Sequence, residues 1–295
     1  MSINTKKLLK AAFSVCSAAI IIIIGNFVIV AQSMSGTWET GSDRESDGKV
    51  HISFSRQSAK GGKNVIGTDF DLAELSGLSS RDIAGSNRKV SFRLVREAGI
   101  IQCEGVFDNG KGKGTFNFTA DGNYLSAVQN LGFTVDNEKL FSAAVLDITT
   151  SQAREVLSMG FKTVEFDDLF KAKIFKITPQ FAAEMLAIGF SDLDMEDLVK
   201  ARIFKIDADY ARRVREMGFS DQSMESMVKL SIFKVTPEFI DELRREGLGD
   251  LSVEDVVKLR IFKVDAAFIA NARAANVPIN VESLVNRRIG VRVRN

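Results

Sequence analysis

Apolar positions recur along the chain with more than one period, and each period predicts a different structure. From residue 35 to about 119 they alternate with polar ones. Val50, Ile52 and Phe54 form one run, and Val90, Phe92 and Leu94 another. Ile101, Cys103 and Gly105 form a third, and Phe116 and Phe118 a fourth. A period of two places these residues on one face of a strand. Asp108-Asn109-Gly110 is a hairpin signal, because a tight two-residue turn needs positive φ at its centre. Gly61-Gly62 and Gly85-Ser86-Asn87 mark further loops. Region 35–119 therefore predicts a small antiparallel β-sheet or barrel of about six strands, with Trp38 near the first.

Beyond it the spacing changes. Ile174, Ile203, Ile232 and Ile261 stand 29 residues apart. Phe175, Phe204, Phe233 and Phe262 follow them, then Lys176, Lys205, Lys234 and Lys263. Ile177, Ile206, Val235 and Val264 complete the strip. Matching columns at a fixed interval define a repeat. Each copy reads as two helices. Thr178, Asp207, Thr236 and Asp265 are N-cap residues, and Pro179 and Pro237 follow where a missing N–H costs nothing. An aromatic at Phe181, Tyr210, Phe239 and Phe268 is followed four residues on by Met185, Val214, Leu243 and Ala272, a buried stripe. Gly189, Gly218 and Gly247, with Asn276 in the last copy, end that helix in the left-handed conformation. Asp194, Ser223, Ser252 and Asn280 cap a second, shorter helix.

The same offsets reach back to Thr149 and Asp121. Caps at 121, 149, 178, 207, 236 and 265 mark about six units over residues 120–290. A single helix pair cannot cover both its faces, whereas stacked pairs can. The predicted fold class is α+β: the small antiparallel sheet or barrel, followed by an α-solenoid of helix pairs with a 29-residue repeat. No linker precedes Asp121, so the sheet and the first helices are expected to pack together.

Composition adds bounds. The 295 residues are 45% hydrophobic and 26% charged, as in a folded protein of about two domains. The formal net charge is +1, so no whole-molecule field points to nucleic acid. The first 31 residues stand apart. Lys6, Lys7 and Lys10 precede an uncharged stretch over residues 11–31 that includes Ile20–Ile24. A basic segment followed by an apolar one reads as a signal peptide, cleaved after Ala31. It also reads as an N-terminal membrane anchor, since the stretch is long enough for one transmembrane helix. In both cases the remainder is exported across the cytoplasmic membrane, to a periplasmic or other extracytoplasmic space, either secreted or anchored by residues 11–31. Cys16 lies inside that stretch and Cys103 beyond it, so the mature part has no cysteine pair for a disulfide.

Candidate chemistry is sparse. His51 is the one histidine, which excludes zinc peptidase motifs and sites built on paired histidines. It lies between Val50 and Ile52, so it should point outward. Cys103 sits at an inward position, where a thiol behaves as a buried apolar side chain. Gly110-Lys111-Gly112-Lys113-Gly114-Thr115 resembles a phosphate loop, but it lacks the spacer and joins two strands, which suggests a flexible hairpin. Asp167, Glu196, Glu225 and Glu254 precede Lys171, Lys200, Lys229 and Lys258 by four residues, as surface helix pairs do. Lys176, Lys205, Lys234 and Lys263 have no such built-in partner. They would line one edge of the solenoid, solvated or in contact with an acidic partner or phospholipid headgroups. They are the candidate partner-binding residues. No catalytic residue, cofactor or metal site is expected.

Some of these residues also carry a resemblance. Val235-Thr236-Pro237-Glu238-Phe239, Leu243-Arg244 and Leu251-Ser252-Val253-Glu254-Asp255 resemble a V-T-P-E-F type helical repeat of bacterial exported and envelope proteins. Such repeats also occur beyond the peptidase domain of membrane metallopeptidases related to beta-lactam sensors. The strand region is similar to the stretch that accompanies them, through Val90–Gly99, Cys103–Phe107, Gly112, Gly114 and Phe116. Phe-Lys stands here before Val-Thr-Pro where those repeats usually have His-Gly. The peptidase part is absent, so the resemblance carries over no catalytic residue.

The expectation is a non-enzymatic exported or membrane-anchored helical-repeat protein of the bacterial cell envelope, acting as a protein-interaction or scaffold module. Its partner would be another protein, with a membrane surface as the other candidate; no nucleic acid and no small-molecule substrate are indicated. An accessory sensor of envelope stress or antibiotic response is the alternative that the resemblance implies. An enzyme using carboxylates in a groove between the sheet and the first repeat is a third class.

Overall fold

A computed structural model describes residues 21–24, 27–30, 33–41, 48–57, 61–190, 192–219 and 223–290. Near the N-terminus, β1 (Ile21–Ile24) pairs antiparallel with β2 (Phe27–Val30), Ile21 opposite Val30 and Ile24 opposite Phe27. The expected transmembrane helix over 11–31 is thereby corrected. Two of its stretches are strands, and among the described residues no helix is long and apolar enough to cross a membrane. The isoleucines supply the reason: a branched Cβ stiffens the side chain and suits an extended backbone better than a helix. Lys6, Lys7, Lys10 and Ala31 lie outside the described residues.

Among the described residues, seven further strands form one antiparallel sheet that curls into a half-barrel. They are β3 (Ser33–Thr40), β4 (Lys49–Gln57), β5 (Lys63–Asp71), β6 (Leu75–Ser76), β7 (Arg88–Arg96), β8 (Gly99–Asp108) and β9 (Lys111–Ala120). A short helix, α1 (Ser80–Ala84), joins β6 to β7. The order in space is β5-β4-β3-β9-β8-β7-β6, so β3 and β9 meet in the middle. The alternation sets the buried face: Val50, Ile52, Phe54, Val90, Phe92, Leu94, Ile101, Cys103, Phe116 and Phe118 are all buried. Asn109 and Gly110 take positive φ and turn β8 into β9.

Trp38 explains the glycine-rich stretch. Its indole nitrogen donates to the Glu104 carbonyl at 3.2 Å, and its ring meets Phe92 edge-on at 5.2 Å. A Cβ on Gly114 would stand 1.9 Å from the Glu104 carbonyl oxygen and 2.7 Å from the Trp38 indole nitrogen. Residues 111–115 are strand, and their alternating glycines clear the space that Trp38 fills. The expectation of a flexible hairpin over the whole stretch is corrected accordingly; only Asn109-Gly110 turns.

Among the described residues, twelve helices follow in six pairs. These are α2 (Gly122–Asn130) with α3 (Asn137–Leu146), α4 (Thr150–Leu157) with α5 (Phe166–Ile174), and α6 (Pro179–Ala187) with α7 (Met195–Phe204). Then come α8 (Ala208–Glu216) with α9 (Met224–Ile232), α10 (Pro237–Arg245) with α11 (Val253–Ile261), and α12 (Ala266–Ala274) with α13 (Val281–Arg288). The predicted caps are in place. Thr178, Asp207, Thr236 and Asp265 accept from the amides of Phe181, Tyr210, Phe239 and Phe268. Asp194, Ser223, Ser252 and Asn280 accept from Asp197, Ser226, Asp255 and Ser283. Gly189, Gly218, Gly247 and Asn276 have positive φ.

The chain divides into two compact units, Met1–Arg154 and Glu155–Asn295. This division lies beyond residue 119 because the first helix pair packs with the sheet. Phe141 of α3 stacks on Phe116 at 4.9 Å and meets Phe54 and Phe118 edge-on. In the second unit, α5, α7, α9, α11 and α13 each touch the next, so the second helices of successive pairs form one layer.

Candidate functional site

The surface that stands out is the C-terminal edge of that layer. Ile174, Ile203, Ile232 and Ile261 are 58%, 53%, 50% and 50% exposed. The phenylalanines that follow are half-buried, and Ile177, Ile206, Val235 and Val264 are fully inside. Three residues thus carry the chain from solvent to core.

A left-handed turn makes that passage. Lys176, Lys205, Lys234 and Lys263 have φ of 53°, 54°, 51° and 52°. The residue after each closes the turn, as when the Ile206 amide donates to the Ala201 carbonyl at 2.8 Å. The equivalent positions of the outer units hold Asp147 and Gly290, also at positive φ. Glycine, asparagine and aspartate are the residues this conformation favours; a long side chain costs about 1 kcal/mol or more there. All four lysines are exposed, and among the described residues none forms an ion pair.

Arginines seen only in the structure tie the repeats together. Arg215, Arg244 and Arg273 each donate to the last carbonyls of the preceding unit's first helix, those of Ile188, Met217 and Glu246. On the other layer, Arg202 donates to the Lys176 carbonyl at 2.9 Å, Arg260 to Phe233 at 3.3 Å and Arg288 to Phe262 at 2.8 Å. The same guanidinium groups lie over aromatic rings, Arg202 on Phe181 at 3.7 Å and Arg288 on Phe268 at 4.1 Å. One unit differs in a compensated way. Ser231 replaces the arginine and donates to the Phe204 carbonyl, while Tyr210 replaces the phenylalanine and donates to the Met227 carbonyl. Helix C-termini leave carbonyls without intrahelical partners, and these donors supply them. The 29-residue spacing of Arg215, Arg244 and Arg273 was visible in the sequence. Their partners are backbone atoms, which leave no side-chain signature.

The expected local Glu–Lys pairs are largely rewired. Glu225–Lys229 forms at 2.8 Å. Lys171 instead pairs with Asp168 at 2.9 Å and with Glu196 of the next unit, and Lys200 pairs with Asp197 at 3.1 Å. Glu254 likewise reaches back to Lys229 at 3.2 Å. Glu196, the nearest partner, pushes the Lys171 ammonium above its ordinary value against the opposing effect of burial. Neighbouring helices stand close enough that a first-turn acid meets the preceding repeat's lysine as readily as its own.

Two concavities bear on catalysis. One, of about 380 Å³, lies between the sheet and the first helix pair, lined by Phe54, Arg56, Asn64, Glu138 and Phe141 among others. Its carboxylate, Glu138, pairs with Arg56 at 2.6 Å, which holds it below the usual carboxylate range. The other, of about 530 Å³, runs past Phe161, Lys162, Lys171, Leu186, Asp192 and Glu196. There Lys162 holds Asp192 down through a 2.9 Å contact. A general acid needs the opposite shift. His51 is exposed and meets Asp69 at 2.8 Å and Ser53 at 3.3 Å. Cys103 is buried, and desolvation pushes its thiol up to about 12. Among the described residues, no group of three His, Cys, Asp or Glu side chains is placed to hold a metal ion.

A scan against protein-family models gives no match, and a search of curated proteins gives none either.

Proposed function

We propose that this chain is a non-enzymatic interaction module that docks another protein along the isoleucine–lysine edge of its solenoid. The lysine column carries the reading. Four left-handed positions hold a long side chain in place of the glycine, asparagine or aspartate that this backbone favours, and the outer units show that Asp and Gly serve there. The isoleucine column beside it supports the same reading. Single exposed apolar side chains are ordinary, but four in register make a periodic strip. Export to the bacterial envelope is supported by the basic and apolar N-terminal sequence and by the resemblance to exported repeat proteins. Photo-crosslinking in native envelope preparations tests the docking edge. A photoreactive residue at Ile203 is expected to give one discrete adduct, lost when Ile174, Ile232 and Ile261 become Ser. Equal adducts from Ile203 and from exposed Val65 of the sheet would reject the edge as the binding surface.

A further inference from the structure

We infer that the docked segment is an acidic chain in polyproline-II conformation, with one acidic and one apolar residue in every three. This rests on the docking reading above and adds the partner's chemistry. Because α5, α7, α9, α11 and α13 pack side by side, their last turns form a row. Packed helix axes generally lie about 8–10 Å apart, which sets the step expected for the isoleucine and lysine columns. A polyproline-II chain has three residues per turn and rises ~3.1 Å per residue, so each third side chain returns to one face after ~9.3 Å. A β-strand does not match, because its same-face positions fall at ~6.7 or ~13 Å. An α-helix matches in length after seven residues, ~10.5 Å, but it presents a broad apolar stripe. Each of the four inner units offers one half-exposed isoleucine and one lysine.

Charge fixes the sign of the partner. The nearest acids in sequence, Asp207 and Asp265, already accept from the amides of Tyr210 and Phe268. A second copy is a poor occupant, since the edge packed on itself would set lysine columns against each other. A lipid surface needs cations but no register, whereas the left-handed turn fixes one lysine at the same place in each of the four inner units.

The test uses the full chain and a fluorescent fifteen-residue peptide of five Glu-Pro-Leu tripeptides. A scrambled peptide of the same composition and phosphatidylglycerol vesicles are the comparison ligands. The variant joins Lys176→Gly, Lys205→Gly, Lys234→Gly and Lys263→Gly, which suit the left-handed turn and keep the fold. Anisotropy at low salt is expected to show saturable binding of the periodic peptide. The scrambled peptide should bind roughly tenfold more weakly, and the glycine variant should lose about tenfold or more, as four modest ion pairs allow. Equal binding of the two peptides, or an unchanged glycine variant, overturns the inference. So does tighter binding to vesicles that the glycine variant loses. If the peptide fails while Ile203 still gives a lysine-dependent protein adduct, the partner class is wrong and the docking edge stands. If both fail, both readings fall.

Discussion

The two compact units are held by contacts of opposite range. In the sheet unit, the Trp38 indole bonds a carbonyl 66 residues away, and Phe141 closes over strands that precede it by more than twenty residues. In the repeat unit the arginine bonds reach 25 to 27 residues back, to the neighbouring pair, and the caps reach only three. A sheet built on distant pairings has to assemble as a whole, because no part of it is covered until β3 meets β9. A stack of helix pairs adds up instead as each pair's stability plus a coupling to the next. The chain offers a clean way to separate them: Trp38 is the one tryptophan, so its emission reports the sheet unit alone.

The largest expected effect is Gly114→Ala. The added Cβ would fall 1.9 Å from the Glu104 carbonyl oxygen, a backbone atom that cannot step aside without breaking the β8–β9 ladder. Loss of about 4 kcal/mol or more is expected, enough to abolish the native Trp38 environment. The helical circular dichroism signal should persist, since successive helix pairs of the second unit pack on one another. A shared loss of both signals in one transition would show that the repeat cannot stand without the sheet, and the contrast between the units would fail.

A smaller effect is expected at the joints of the repeat. Arg244→Ala removes the donor to the Met217 carbonyl at the end of α8. Because the guanidinium is partly exposed, about 1–2 kcal/mol is the expected cost, at the low end for a charged donor. Thermal unfolding followed by circular dichroism at 222 nm should shift downward and broaden, while the Trp38 transition stays where it is. Arg202→Ala and Arg288→Ala act at equivalent joints of the other layer and should repeat the pattern.

What was legible in the sequence follows the same division. The strands could be read because burial on one face imposes a period of two, and Val50, Ile52 and Phe54 obey it without exception. The helix pairs could be read because cap, proline, aromatic stripe and glycine recur in order at Thr236, Pro237, Phe239 and Gly247. Failures came where one residue type serves two geometries. An isoleucine run fits a lipid helix and a strand alike, and Ile21–Ile24 is a strand. Glu196 can pair with its own helix or with the preceding one, and it chose Lys171. The glycines around Lys113 looked flexible, since nothing nearby in sequence announces that Trp38 lies over them. The proposed docking edge was half visible. Its lysines were evident, but the exposure of the isoleucines was not, because a repeated isoleucine reads first as core.

The smallest expected effect bears most directly on the edge. Lys205 sits at φ 54°, where a Cβ crowds the backbone and glycine does not. If the lysine served only to turn the chain, Lys205→Gly would cost nothing and gain stability. About 0.5–1 kcal/mol of relief in the folded state is expected, partly offset by the greater freedom of glycine in the unfolded chain. The midpoint at 222 nm should therefore rise slightly or hold, while binding of the periodic acidic peptide weakens. That pairing of outcomes separates a binding residue from a structural one. A marked loss of stability in Lys205→Gly would instead mean that the side chain supports the repeat itself. The lysine column would then belong with the arginine joints rather than with a partner.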